Sequence, residues 1–176
     1  MSVVRVNQIQ DTSTNVAANI SGGVVTFTNT PINAGGGKVL QAIPFITTTG
    51  SGAVTSSTAV LSGSITPSST SSKIFITAQG SGQVTCGSSG IFTSDLWRGS
   101  ISGTLVSRFY EGMGAGVNNG NTHYITFVHA VTDSPNTTSS QTYTVSINKG
   151  SGGTTNVSTI GSSGHPVVMT LMEIGA

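Results

Sequence analysis

The amino-acid sequence predicts an all-β protein, in which a short extended N-terminal segment precedes an antiparallel β-sandwich. Apolar residues, many of them β-branched, recur in short runs between Gly, Ser, Asn and Pro clusters spaced by roughly 8–15 residues. One run, Tyr143 to Ile147, alternates apolar and polar residues at every position, as a half-buried antiparallel strand requires. No window repeats apolar residues at helical spacing, and good helix formers are scarce, so we expect almost no helix.

Composition excludes several classes of protein. The chain has 176 residues, of which 35% are hydrophobic and only 6% charged, whereas about 25% is usual for charged residues in globular domains. Its net charge is +1 and its three lysines, Lys38, Lys73 and Lys149, are far apart, which argues against nucleic-acid binding. The longest apolar stretch, near Val167 to Met172, is too short to span a bilayer, and the first residues lack the apolar region of an export signal. We therefore expect no membrane insertion and synthesis in the cytoplasm.

Cysteine and histidine chemistry is limited. Cys86 is the single cysteine, so neither an intrachain disulfide nor a cysteine-based zinc cluster can form, and we expect it to be core filler. His123 and His129 should share a strand face, but at about 3.3 Å per residue they lie too far apart to bind one metal ion together. A metal held by three copies of one histidine on a symmetry axis stays open. We predict no cofactor and no metal site within one chain.

Residues 1–37 form the first predicted unit. They contain two short extended pieces, Val3 to Ile9 and Gly23 to Thr28, and end in the Gly35–Gly37 joint. Two strands with so few apolar residues are not stable alone in water, so this segment needs a partner surface.

Residues 38–176 form the second predicted unit, the sandwich. Its nine predicted strands are Val39–Thr48, Thr58–Ile65, Ile74–Gln79, Asp95–Gly99, Thr104–Tyr110, Thr122–Val131, Gln141–Asn148, Thr155–Ile160 and Val167–Ile174. The continuous apolar runs Ile74–Ile76 and Val167–Met169 predict strands covered on both sides, by the second sheet or by a neighbouring subunit. A Gly- and Asn-rich run from Gly112 to Asn121 predicts a projecting contact loop. Its candidate contact residues are Gly112, Gly114, Gly116, Asn118 and Asn119.

Catalytic patterns are absent from the sequence. Glycoside hydrolysis needs two suitably spaced acids, and the chain offers only Asp11, Asp95, Glu111, Asp133 and Glu173. We expect Asp133 to cap backbone amides in the turn that follows it, and Asp95 to precede a strand in a structural role. No G-x-S-x-G motif occurs, and Gly161–His165 falls one position short of it. The prediction is a protein without catalytic residues.

Trp97, Tyr110 and Tyr124 are the aromatic residues best suited to stack on sugars, but on strands such residues more often belong to the core.

Two stretches of the sequence resemble a family of phage proteins. Val4-Arg5-Val6-Asn7-Gln8-Ile9-Gln10-Asp11-Thr12-Ser13 resembles the opening of many phage fibre and tail-fibre-like proteins. Ser64-Ile65-Thr66-Pro67-Ser68-Ser69-Thr70-Ser71-Ser72-Lys73-Ile74 is similar to a recurrent stretch of phage fibre C-terminal modules. The strand Tyr143-Thr144-Val145 after Asp133-Ser134-Pro135 continues the likeness, and so does the ending Met172-Glu173-Ile174. The chain lacks the coiled coil or repetitive shaft of a long fibre.

The resemblance implies a structural protein of a bacteriophage virion. It implies a trimeric, jelly-roll-like sandwich at the tip of a short head fibre or tail fibre, assembled in the host cytoplasm and exposed for host attachment. Its implied partners are two further copies of the chain, a capsid or tail protein and a host cell-surface glycan. The implied virion-anchoring residues are Val4, Val6, Asn7, Ile9 and Asp11. The alternatives are a capsid decoration protein that cements the shell and a glycan-degrading, tailspike-like enzyme.

Overall fold

The computed structural model describes residues 8–10, 16–21, 24–27, 37–52, 54, 56–86, 90–113, 122–149, 155–158 and 165–175. Side chains are described for residues 37–52, 54, 56–81, 91–112, 124–148 and 165–175. Every regular element within these ranges is a β-strand. The all-β prediction is therefore confirmed.

The chain divides into two compact units, Met1–Lys38 and Val39–Ala176. The first unit contains the three-stranded antiparallel sheet β1-β2-β3, with β1 at Gln8–Gln10, β2 at Val16–Ser21 and β3 at Val24–Phe27. The prediction of only two extended pieces was wrong, because it missed the central strand β2. That strand contains Ala17, Ala18 and Asn19, residue types that are depleted in strands, so pairing with both neighbours and not local propensity defines it.

The second unit contains nine described strands, and each matches a predicted one. They are β4 (Val39–Thr47), β5 (Thr58–Ile65), β6 (Lys73–Cys86), β7 (Gly90–Arg98), β8 (Thr104–Met113), β9 (Thr122–Asp133), β10 (Gln141–Lys149), β11 (Thr155–Ser158) and β12 (Val167–Ile174). β5 and β12 have the predicted bounds, whereas β6 and β7 are much longer than predicted.

Gly80 explains why the length of β6 was underestimated. The run Gly80-Ser81-Gly82 reads as a turn in the sequence, but in the structure Gly80 pairs directly with Phe127 of β9. A Cβ atom on residue 80 would lie 2.7 Å from Cζ of Phe127. The glycine is therefore needed for close packing in the middle of a strand, not for a turn.

The nine strands form two antiparallel sheets. Sheet I has the order β9-β6-β12-β4, and β11 continues the β12 column beside the second half of β6. Sheet II has the order β5-β10-β7-β8. The chain passes between the sheets at most connections, so the two sheets are interleaved in sequence.

The strand pairing is that of a jelly roll. β7 pairs with β8, β6 with β9, β5 with β10 and β4 with β12, which is the nested pairing of one long hairpin. Folding that hairpin over brings β12 beside β6 and β10 beside β7, which completes the two sheets. One chain thus forms two packed sheets, each four strands wide, which confirms the expected jelly-roll-like sandwich.

The core lies between the two sheets. Its largest fully buried apolar side chains include Phe92 and Leu96 from sheet II and Ile76, Phe127 and Leu171 from sheet I. The ring centroids of Phe92 and Phe127 lie 6.4 Å apart, so aromatic packing joins the sheets near the middle of the sandwich.

Candidate functional site

Most of the predicted site residues lie outside the described part of the chain. Among the predicted anchoring residues, Ile9 is in β1, where it pairs with Ala18, and Val4, Val6, Asn7 and Asp11 are not described. Among the predicted loop residues, Gly112 belongs to strand β8 and pairs with Ile91, so it is not a loop residue. Gly114, Gly116, Asn118 and Asn119 lie outside the described residues.

Glu173 connects two stretches that resemble phage fibre modules. It belongs to the ending Met172–Ile174 and contacts Ser68 in the stretch Ser64–Ile74. Its carboxylate accepts hydrogen bonds from the backbone N–H of Ser68 at 2.7 Å and from the Ser68 hydroxyl at 2.6 Å. Its other oxygen accepts a hydrogen bond from Nε2 of Gln41 at 2.6 Å, and the same amide donates to the carbonyl of Thr66 at 2.8 Å. Glu173 thereby fixes the β5–β6 connection against the last strand.

The protonation of Glu173 follows from these contacts. The side chain is fully buried, which acts to raise its pKa, but the hydrogen bonds donated to the charged form outweigh burial and lower the pKa to about 2. A buried carboxylate with this set of donors is a structural anchor of the loop, held ionised at neutral pH.

Asp133 forms a second polar contact, which is partly buried, at the end of β9. Its carboxylate accepts a hydrogen bond from the Tyr143 hydroxyl at 2.8 Å and pairs with Nη1 of Arg98 at 3.1 Å. Burial, followed by the hydrogen bond to Asp133, raises the pKa of Tyr143. The expectation that Asp133 caps backbone amides was wrong, because β9 extends to Asp133 and directs its carboxylate to side chains of sheet II.

His129 connects the two sheets inside the sandwich. It lies on β9, is 1% exposed, and its ring nitrogens form hydrogen bonds of 3.1 Å with Ser94 and 3.0 Å with Ser107. Burial lowers its pKa, with a smaller opposing effect from Asp95. His129 is therefore a neutral cross-link between β9 and strands β7 and β8. His123 is on the same strand, but its side chain is not described, nor is that of Cys86.

The outer face of sheet II is polar and paired within the chain. Asp95 is 3% exposed at its side chain and forms a two-point ion pair with Arg108 of β8, at 2.6 and 2.9 Å. The indole N–H of Trp97 donates to the Ser146 hydroxyl at 2.8 Å. Two hydroxyl pairs, Ser62 with Thr144 and Ser64 with Thr142, join β5 to β10 on the same face.

The expectation that Asp95 precedes a strand was wrong, because β7 begins at Gly90.

The three candidate aromatic residues are surface residues and not core. Tyr110 on β8 is 58% exposed and Tyr124 on β9 is 70% exposed, while Trp97 is half-buried. The centroid of the Tyr124 ring lies 6.1 Å from that of the His165 ring. The core expectation was wrong for the two tyrosines because both side chains lie on the outer faces of their strands, whereas Phe127 of β9 and Phe109 of β8 face the core.

Three of the described acidic side chains lie in structural contacts. Asp95, Asp133 and Glu173 each accept hydrogen bonds from neighbouring donors. The described residues contain no group of three or more His, Cys, Asp or Glu side chains that could hold a metal ion. The same residues contain no helix long and apolar enough to cross a membrane.

Arg98, Arg108 and Ser107 were missed by the sequence interpretation. Their roles depend on which strands become neighbours and in which register, and no local pattern signals this. Arg108 lies directly opposite Asp95 in the pairing of β7 with β8, close to a register shift between Leu96 and Trp97.

Comparison with known proteins yields structural matches alone. No family model matches the chain, and no curated protein matches it. The matching structures include the infectious bursal disease virus Gx strain, at 12% identity over 88% of this chain and 40% of the other, with a TM-score of 0.40. They also include a T13 particle of the same virus, at 11% identity over 90% of this chain and 39% of the other, with a TM-score of 0.39. The VP2 subviral particle of that virus matches at 9% identity over 90% of this chain and 41% of the other, with a TM-score of 0.39. This chain thus spans about two fifths of the length of the chains it matches, and at these TM-scores the matches assign no function to it.

Proposed function

We propose that this chain is a structural protein of a bacteriophage virion, a short trimeric fibre on the head or tail. Residues 1–37 anchor it to a capsid or tail protein, and residues 38–176 form the head domain, which is exposed for attachment to a host cell-surface glycan. The protein acts by binding and assembly and has no catalytic residue.

The observation that carries the proposal is the joining of a jelly-roll unit to a separate small β-sheet in one chain. Jelly rolls occur in viral capsid and lectin domains, among others, so the fold suits a virion component and a sugar-binding head. The small sheet includes Gln8–Gln10, which is part of the stretch that resembles the virion-proximal opening of phage fibres. Fold likeness alone does not assign function, and the resemblance of both ends of the chain makes the proposal specific.

The contacts of Glu173 give the resemblance a physical basis. Ser68 lies in the fibre-like stretch Ser64–Ile74, and Glu173 lies in the fibre-like ending Met172–Ile174. The two meet through hydrogen bonds of 2.6 and 2.7 Å although they are 105 residues apart. The shared motifs thus form one structural unit that fixes the β5–β6 loop, which supports a shared sandwich module.

Anchoring would proceed by strand addition. β1 and β3 are the edges of their three-stranded sheet, and sheet edges offer backbone N–H and C=O groups to a further strand. Main-chain hydrogen bonds then supply the affinity, which suits a segment with few charges. Three heads on one fibre would gain avidity for a repeated glycan, even if each site binds weakly.

The test is to locate the protein on the particle and remove it. We expect antibody labelling of intact virions, and particles lacking the protein should adsorb less to host cells while the heat resistance of their shells stays nearly unchanged. Unchanged adsorption with lowered resistance to heat or low salt would establish the cement alternative instead. Absence of the protein from purified virions would overturn the proposal as a whole.

The anchor is tested separately by substituting Ile9→Lys in β1. We expect loss of incorporation into particles while the sandwich still folds, because β1 belongs to the first unit. A matched control is Ser56→Lys, at an exposed position between β4 and β5, which should incorporate normally. Normal incorporation of the Ile9→Lys variant would contradict anchoring through β1.

A further inference from the structure

The outer face of sheet I is apolar and nearly uncharged. In the described part of the chain, seven large apolar side chains are exposed, and five of them belong to β4 and β9, the two edge strands of this sheet. They are Val39, Leu40, Ile46, Tyr124 and Val128. Clustering on one sheet sets them apart from the singly scattered apolar residues that any protein surface carries.

The strand register shows that the face is continuous. One row across the four strands consists of Ile46, Val168, Gln79 and Val128. The next row consists of Pro44, Thr170, Thr77 and Ala130, and the third of Ala42, Met172, Phe75 and Thr132. The charged residue of the described face is Lys73, at its rim where β6 begins.

The face has two exposed apolar edges and a hollow. Val128 on β9 and Ile46 on β4, at the opposite edges of the first row, are 55% and 64% exposed. The small side chains of Ala130, Thr77 and Thr170 in the second row leave a depression of about 310 Å³, bordered by Gln79, Val128 and Val168. An exposed apolar edge and a hollow on one face let copies of this face fit together, the edge of each lying in the hollow of the next.

Among the described residues of the sandwich, the two continuous apolar runs are covered on one side only. Ile74 and Ile76 are fully buried in the core, but Phe75 between them is only half-buried on the outer face. Val168 is in the same position between Val167 and Met169. The second-side cover that these runs predict is thus not supplied by sheet II, which leaves a neighbouring subunit of the two sources that the sequence predicts.

We infer that the outer face of sheet I is the surface through which copies of this chain associate, each packing against the same face of its neighbours around the axis of the trimer. The inference rests on the trimer of the proposed function and names its interface. The near absence of charge favours a copy of the same face as the occupant: an acidic or basic partner would find almost nothing to pair with, whereas identical faces bring together no like charges away from the rim.

The test compares Val128→Lys with Leu105→Lys in the full-length chain. Both side chains are exposed apolar residues of edge strands, but Val128 is on sheet I and Leu105 is on β8 of sheet II. Like charges brought together at an interface cost several kcal/mol, so Val128→Lys should weaken trimer formation by about a hundredfold or more in sedimentation experiments. Leu105→Lys should remain trimeric. Far-UV circular dichroism checks that each variant is folded, and Ile46→Lys, on the opposite edge of the same face, replaces Val128→Lys if that variant does not fold.

The outcomes separate this inference from the trimer itself. A trimeric wild type that stays trimeric with both Val128→Lys and Ile46→Lys would overturn the interface and leave the trimer standing. A monomeric wild type would overturn the trimer and this inference with it. A photo-crosslinking residue in place of Val128 identifies the occupant: a covalent product of two chains linked through β4, β6, β9 or β12 is expected. A link to residues 1–38 would overturn the inference in favour of cover by the first unit.

Discussion

The two outer faces of the sandwich differ in how their side chains are satisfied. On sheet II, polar side chains pair with one another inside the chain, as Asp95 does with Arg108 and Trp97 does with Ser146. On sheet I, the outer side chains are mostly apolar, and Ile46 and Val128 remain more than half exposed. The polar side chains of one face thus find partners within the chain, whereas the other face leaves large apolar side chains exposed to solvent.

The largest effect should come from breaking the ion pair on the polar face. Arg108→Ala should lower the free energy of unfolding by about 3 kcal/mol, because it leaves the carboxylate of Asp95 buried without its partner. Asp95→Asn should cost only about 1 kcal/mol, since Arg108 is 49% exposed at its side chain and can return to water. Chemical denaturation at one fixed protein concentration measures both, and an equal or greater cost for Asp95→Asn would contradict the claim that this face is completed by Arg108.

The second largest effect on stability should come from Glu173, at the end of the sandwich. Glu173→Gln should lower the free energy of unfolding by about 2 kcal/mol, because hydrogen bonds from Ser68 and Gln41 to a charged group are replaced by weaker ones. Glu111→Gln, at an exposed position of β8, is the matched control and should change stability by less than about 0.5 kcal/mol. Equal effects in the two variants would show that Glu173 does not fix the loop.

Acid should weaken the cross-link between the sheets. Burial lowers the pKa of His129 in the folded state, so below the ordinary value of 6.5 the unfolded chain binds a proton that the folded chain does not. The contribution of His129 to the free energy of unfolding is complete above pH 6.5 and declines as pH falls, by up to about 1.4 kcal/mol per pH unit. Glu173 adds a second loss as pH falls from 4.5 towards about 2, the value to which its pKa is lowered. Unfolding free energy measured from pH 7 to pH 5 should slope less in His129→Gln, and an unchanged slope would exclude His129 as the cause.

The smallest expected effect is an unchanged quenching of Trp97 fluorescence. This prediction tests most directly whether assembly covers only one of the two outer faces. Trp97 is the single tryptophan and lies half-buried on the outer face of sheet II. If the chain forms the proposed trimer through sheet I, quenching of its fluorescence by acrylamide should be the same in that trimer and in dissociated Val128→Lys. Stronger quenching after dissociation would mean that the polar face is also covered in the assembly.

The positions of the strands were largely predictable from the sequence, whereas the contacts at the candidate surfaces were not. β5 and β12 have their predicted bounds because alternation and turn residues are local signals. β2 and the second half of β6 were missed, since pairing in the sheets and the packing of Phe127 on Gly80 override weak local propensity. Tyr110 and Tyr124 were expected in the core because the sequence does not show which face of each strand the second sheet covers.

By itself the sequence determined the all-β class, the low charge and the order of strands in residues 38–176, because these follow from composition and from periodicity over a few neighbouring residues. Only the tertiary structure decided which side chains meet, as Glu173 and Ser68 do across 105 residues. It also decided that five of the seven large apolar side chains exposed in the described residues lie on one sheet. The physical reason is that cross-strand neighbours and sheet edges are set by how the long hairpin folds over, and register over such distances is a property of the whole chain.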